Sequence, residues 1–174
     1  MTRVFRAVAA GVCAACVALG GASAQTRVDA KKDWSVFEAQ SEGGKVCWIV
    51  SQPTESTATR GGKNVQVNRG DIFLMVAVRP AENVKNEVSF LSGYPFKGGS
   101  KVTVRVGSNS YTMFTEGENA WTQSGAEDNT LTNAFRRGAK ANVEGLSSRG
   151  TTTRDTFSLS GFTAAMKSAQ SRCG

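Results

Sequence analysis

Apolar residues in this chain recur mostly at every second position, in short runs separated by Gly, Pro, Asn and Ser. That is the signature of β-strands joined by turns. After a polar lead-in at 25–32, read as frayed, Trp34 and Val36 alternate with polar neighbours and predict a first short strand. Lys45–Val50 is a denser β run. Residues 51–70 are rich in Gly, Thr and Ser and read as a long loop, with a weak strand at Val65-Gln66-Val67. Ile72–Val78 is continuously apolar and fits a strand buried on both faces, ended by Arg79-Pro80. Glu87–Leu91 follows and is broken by Gly93-Tyr94-Pro95-Phe96, because proline cannot donate to a sheet ladder. Val102, Val104 and Val106 alternate with polar residues, Gly107–Ser110 turns the chain, and Tyr111–Phe114 returns, which predicts a hairpin. Ala141–Glu144 and Thr151–Leu159 are further strand candidates.

The helical period appears only late. Asp128 or Asn129 can cap a helix whose Leu131, Ala134 and Phe135 share a face and whose end is marked by Gly138. Ser160 can cap a second one, with Phe162, Ala165, Met166 and Ala169 spaced i, i+3, i+4, i+7. Many short strands and two short helices predict an all-β fold: a single β-sandwich or barrel-like domain with one or two short helices, one of them C-terminal.

Residues 1–24 depart from this pattern. Arg3 and Arg6 make a basic head, residues 7–20 carry no charge, and Ala22-Ser23-Ala24 is a small-x-small cleavage site. This is the anatomy of a signal peptide, so residues 25–174 are expected to be the mature β domain, located in the periplasm or at the outer surface. The apolar run is shorter than the roughly 20 residues that span a bilayer, and no later segment approaches that length. Lipidation of Cys16 is the rival reading, but Cys13 stands three residues before it where a leucine is expected.

Export changes the reading of the four cysteines. Cys13 and Cys16 form a C-x-x-C inside the removed segment, so they bring no redox chemistry to the mature domain. Cys47 and Cys173 remain, and an even count in an oxidising compartment implies a disulfide, with two buried free thiols as the alternative. Charge shifts as well: losing Arg3 and Arg6 takes the formal +7 of the chain to +5. That balance suits an acidic macromolecule of the envelope or host surface as partner, but the charges are scattered and read better as a solvated, mildly basic surface, while the secretory address argues against nucleic acid.

The chain contains no histidine, which removes Ser–His and Cys–His nucleophile pairs and most zinc and copper sites. No catalytic, cofactor-binding or metal-binding set is read. Glu116 and Glu118 could form a glycosidase-like carboxylate pair, but they flank Gly117 and read better as a charged turn. In SRGTTTRDTFSLSGF, strand alternation puts Asp155 on the face of Phe157 and Leu159. A carboxylate at a core edge needs a partner, so Asp155 with Arg149, Arg154 or backbone N–H groups is read as a structural polar clamp. Tyr94 and Trp121 are the candidate binding surface, since flat rings with polar edges suit sugar faces. Trp34 and Trp48 could join that platform but read better as core.

Taken in order, several of these residues resemble one family. Trp34 opens the first strand, Cys47 lies in VCWIVSQP, and an apolar strand ends at Arg79-Pro80. Then come Glu87-Val88-Ser89, the Gly93-Tyr94-Pro95-Phe96 corner, Ala120-Trp121, a helix ending Arg137-Gly138, SRGTTTRDTFSLSGFTAA and a terminal Cys. This succession resembles the invasion-associated locus B family of secreted bacterial proteins. The resemblance implies an all-β, sandwich-like periplasmic or outer-surface domain. In pathogens the family is associated with entry into host cells, notably erythrocytes, and it brings no known active site. The expectation is a non-enzymatic envelope or surface protein, with a carbohydrate-binding or carbohydrate-cleaving domain as the alternative.

Overall fold

A computed structural model describes residues 25–173. The signal-peptide reading of 1–24, with Cys13 and Cys16, lies outside the described residues. Twelve strands form one antiparallel sheet: β1 (Thr26–Lys31), β2 (Trp34–Ser41), β3 (Gly44–Ser51), β4 (Glu55–Arg60), β5 (Lys63–Asn64), β6 (Phe73–Arg79), β7 (Val84–Leu91), β8 (Lys101–Val106), β9 (Asn109–Glu116), β10 (Asn119–Trp121), β11 (Lys140–Leu146) and β12 (Thr152–Ser158). Their spatial order is β1-β2-β3-β6-β7-β10-β9-β8-β11-β12-β4-β5, so the sheet ends at β1 and β5 and does not close. Helix α1 (Gly125–Arg137) precedes β11, and helix α2 (Phe162–Cys173) ends the described chain.

The sheet curls until its inner faces meet. Phe90 on β7 packs edge-on against Phe157 on β12, with ring centroids 6.1 Å apart. Alternation explains the core: Val102, Val104 and Val106 turn inward from β8, and Met113 from β9, while their neighbours face water. Trp34 is fully buried; its ring meets Phe162 of α2 edge-on at 5.0 Å and its indole N–H donates to the Ser158 carbonyl. The buried stripe of α2 is Phe162, Ala165, Met166 and Ala169, and Cys173 at its last turn forms a disulfide with Cys47 on β3, Cα atoms 5.9 Å apart.

Several local expectations are corrected. The lead-in is not frayed: β1 pairs with β2, and Asp29 accepts the Ser168 hydroxyl of α2. That bond, with Lys31 and the Ala30 N–H, holds the Asp29 carboxyl down at about 2. The loop at 51–70 contains β4 and β5, whereas Val65–Val67 forms no strand. Polar β4 is a strand because it pairs with β12, Asp155 opposite Ser56. β6 is fully buried on one face only; Phe73 and Met75 are half-exposed on the other, beside Trp48, which stacks on Phe37 at 5.6 Å and is not core. Helix α1 starts earlier than expected, capped by the Ser124 hydroxyl accepting from the Glu127 N–H. Helix α2 begins at Phe162, and the Ser160 carbonyl accepts instead from the Asp33 N–H.

Candidate functional site

Two cavities gather the residues singled out above, and they keep Tyr94 and Trp121 apart. The first, of about 590 Å³, lies between the start of β7, the β9–β10 hairpin and the N-terminal turn of α1. Trp121 on β10 sits directly opposite Phe114 on β9, with ring centroids 5.8 Å apart and planes tilted by 32°. Because Met113 and Ala120 turn into the core, their neighbours Phe114 and Trp121 turn out, and Phe114 is 39% exposed. The rings form one wall. Polar groups on and just before β7 and α1 line the rest, among them Asn83, Gln123, Asp128 and Asn129.

These polar groups are held in place. Asp128 accepts the Thr122 hydroxyl at 2.6 Å and the Val88 N–H at 2.8 Å. Burial nevertheless pushes its carboxyl above the ordinary value, outweighing those bonds. Buried Asn86 donates to the side-chain oxygens of Asn129 and Thr132, and Glu87 is clamped by both Nη atoms of Arg79. Flat aromatic faces beside fixed amides and carboxylates can bind a ligand with apolar faces and a hydroxyl rim. Glu116 lines this cavity but Glu118 does not: it follows Gly117, whose φ of +59° makes the tight β9–β10 turn.

The second cavity, about 420 Å³, is built around Tyr94 and the SRGTTTRDT stretch. Beneath it lies the polar centre of the molecule. Asp155 is fully buried, and its partner is Arg69, 7% exposed at its side chain, in the segment between β5 and β6. Arg69 Nη1 and Nη2 donate to the two carboxylate oxygens at 2.7 and 2.8 Å, and Ser56 donates to one of them at 2.7 Å. Nε and Nη2 of Arg69 also donate to the Ser92 carbonyl, and the guanidinium lies 4.9 Å from the centre of the Tyr94 ring. Tyr94 is packed against the core and its hydroxyl lies 2.6 Å from that of Thr153.

The clamp therefore exists with a different cation. Arg154 points to the opposite face by strand parity and pairs with Glu144 at 2.7 Å, while Arg149 is exposed on the β11–β12 turn and lines the cavity. No local signal marks Arg69, which lies 86 residues from Asp155. Phe114 was readable: in β9 it is the large apolar residue of the wrong parity for the core. Gly93 shapes the same corner. Its φ is +70°, and a Cβ would meet the Gly70 carbonyl oxygen at 2.5 Å, where Gly70 N–H donates to the Gly93 carbonyl.

Among the described residues, no group of three or more Cys, Asp or Glu is placed to hold a metal, and no helix is long and apolar enough to cross a membrane. A comparison with curated proteins gives no match. Among solved structures, the crystal structure of invasion associated protein b from Bartonella henselae is similar, with a TM-score of 0.56 and 14% identity over 83% of this chain and 96% of that one. At that identity the likeness is one of fold. The model of the family described as invasion associated locus B (IalB) protein matches residues 34–170, from the buried Trp34 to the last turns of α2. The chain belongs to the invasion associated locus B family.

Proposed function

We propose that this is an exported, non-enzymatic binding protein of the bacterial periplasm or outer surface, which engages an envelope macromolecule or, where there is a host, one at the host-cell surface. The observation that carries the reading is the fate of Asp155. The most family-like stretch of the sequence spends its one carboxylate on Arg69 and Ser56, with no exposure left for a substrate. The basic head, apolar run and Ala22-Ser23-Ala24 of the N-terminus support export. Expressed from its own N-terminus in a bacterial host, the chain should be recovered outside the cytoplasm with Gln25 as its first residue. Cytoplasmic protein still starting at Met1, or a lipid on Cys16, rejects the reading.

A second reading, carbohydrate binding, is favoured by the outward Phe114–Trp121 pair above the amide-lined cavity. A glycan array probed with the domain should then give hits that Trp121→Ala loses by about tenfold or more, the value of one aromatic contact to a ring ligand. Hits that survive the substitution in a protein that melts like the parent exclude this cavity. Carbohydrate cleavage has less support, because Glu116 and Glu118 do not share the cavity.

A further inference from the structure

The cavity above Asp155 is unusual in its charge. Three arginines line it, Arg60 from the end of β4, Arg69 from the segment before β6 and Arg149 from the β11–β12 turn, and no carboxylate does. Arg69 is neutralised by Asp155 beneath, and four of its five N–H donors are taken by that carboxylate and the Ser92 carbonyl. Arg60 and Arg149 form no ion pair among the described residues, although all five carboxylates of the other ion pairs, Asp29, Glu38, Glu82, Glu87 and Glu144, are shared out to cations elsewhere.

Arg60 is nonetheless held in place. Its Nε and Nη2 both donate to the Thr151 hydroxyl, at 2.9 and 2.7 Å, and Thr151 is itself buried and fixed by the Ser147 hydroxyl on its N–H. This leaves Nη1 of Arg60 unused, aimed by a neutral anchor. Ser148 and Tyr94 line the same space. A guanidinium oriented by a neutral partner keeps its full charge and loses little freedom when it grips an anion. That oriented fork, the exposed Arg149 across the same lining and a spare N–H on Arg69 match a tetrahedral oxyanion of two charges.

We infer that this cavity is a binding site for a phosphate or sulfate monoester, gripped by Arg60 and Arg149 above the Arg69–Asp155 pair. It deepens the proposed binding role by giving it an acidic ligand class, and it rests on that reading only for the setting in which the ligand is met. The ester could be carried by a free saccharide or by a lipid headgroup, and the two are separated by the probe.

The test uses the chain from Gln25 onward, as exported, at low and at near-physiological salt. Binding of glucose 6-phosphate and glucose 6-sulfate is measured by calorimetry, and binding of phosphatidylcholine vesicles with and without phosphatidic acid by co-sedimentation. Binding of at least one ester is expected, weakened by salt and by about tenfold or more in Arg60→Gln and in Arg149→Gln, the loss of one charge-assisted pair. Arg136→Gln, an exposed arginine on α1, should leave it unchanged. Soluble esters alone point to a free ligand, and vesicles alone to a headgroup; both support the site. No binding in either arm, or equal loss in all three variants, overturns it. Binding that Trp121→Ala abolishes but Arg60→Gln and Arg149→Gln do not would also overturn it, while leaving the broader binding role standing.

Discussion

Asp155→Asn is expected to cost the domain about 3–5 kcal/mol, because it leaves a buried guanidinium without its counter-charge. Arg69 is 7% exposed and Asp155 not at all, so water cannot replace the lost partner. The pair also ties three distant segments: Ser56 on β4, the chain before β6 and β12 meet at one carboxylate. For a domain of this size the loss corresponds to a fall in melting temperature on the order of 10 °C. Arg69→Met should be comparably damaging for the converse reason. The double substitution Arg69→Met with Asp155→Leu removes both charges and should recover much of the loss. Arg154→Gln, which breaks only the exposed pair with Glu144, should change stability by less than about 1 kcal/mol. Urea unfolding of the parent and the four variants at constant salt measures this. If Asp155→Asn behaves like Arg154→Gln, the buried pair contributes nothing special and the polar centre needs another explanation.

The second large effect concerns the disulfide. Cys47 and Cys173 are 126 residues apart, so the bond closes nearly the whole described chain into one loop. Chain entropy assigns such a loop about 4–5 kcal/mol, and removal of natural disulfides typically costs about 2–5 kcal/mol. Cys47→Ala with Cys173→Ala should lose that amount while keeping the fold, since α2 is also held by Phe162 against Trp34 and Phe135. Reductant should bring the parent's unfolding midpoint down to that of the double variant and leave the variant unmoved. A parent insensitive to reductant would show that the bond adds no stability.

What was legible in the sequence follows a physical rule. Strands with an apolar face, such as β2, β3, β8 and β9, announce themselves by alternation, and α2 by its spacing of Phe162, Ala165, Met166 and Ala169. β1 and β4 are polar and exist because of their partners: β4 pairs with β12 across roughly a hundred residues of sequence, which no local pattern encodes. The start of α1 was placed too late, at Asp128 or Asn129, because both can cap, although Ser124 with Glu127 carries the capping-box spacing. At the site, Asp155 was readable as a carboxylate in need of a cation, but the nearest arginines in sequence were the wrong ones. Trp48 was misplaced as core because β3 is apolar on both faces, and only the sheet decides which face is inner.

The lodging of Trp34 beneath Ser158 and Phe162 sets an order of events. A ribosome releases the N-terminal strands first, yet the carbonyl that caps the Trp34 indole lies 124 residues later and the thiol that joins Cys47 lies 126 residues later. The core around Trp34 is therefore not expected to close strand by strand as the chain emerges; it waits for α2. Folding is expected to be post-translational and slow, as for other domains dominated by distant pairings. Until then β2 and β3, paired with β1 and β6 at their edges, leave the apolar face that α2 covers open to any neighbour, and the unfinished chain is expected to be a client for holding chaperones.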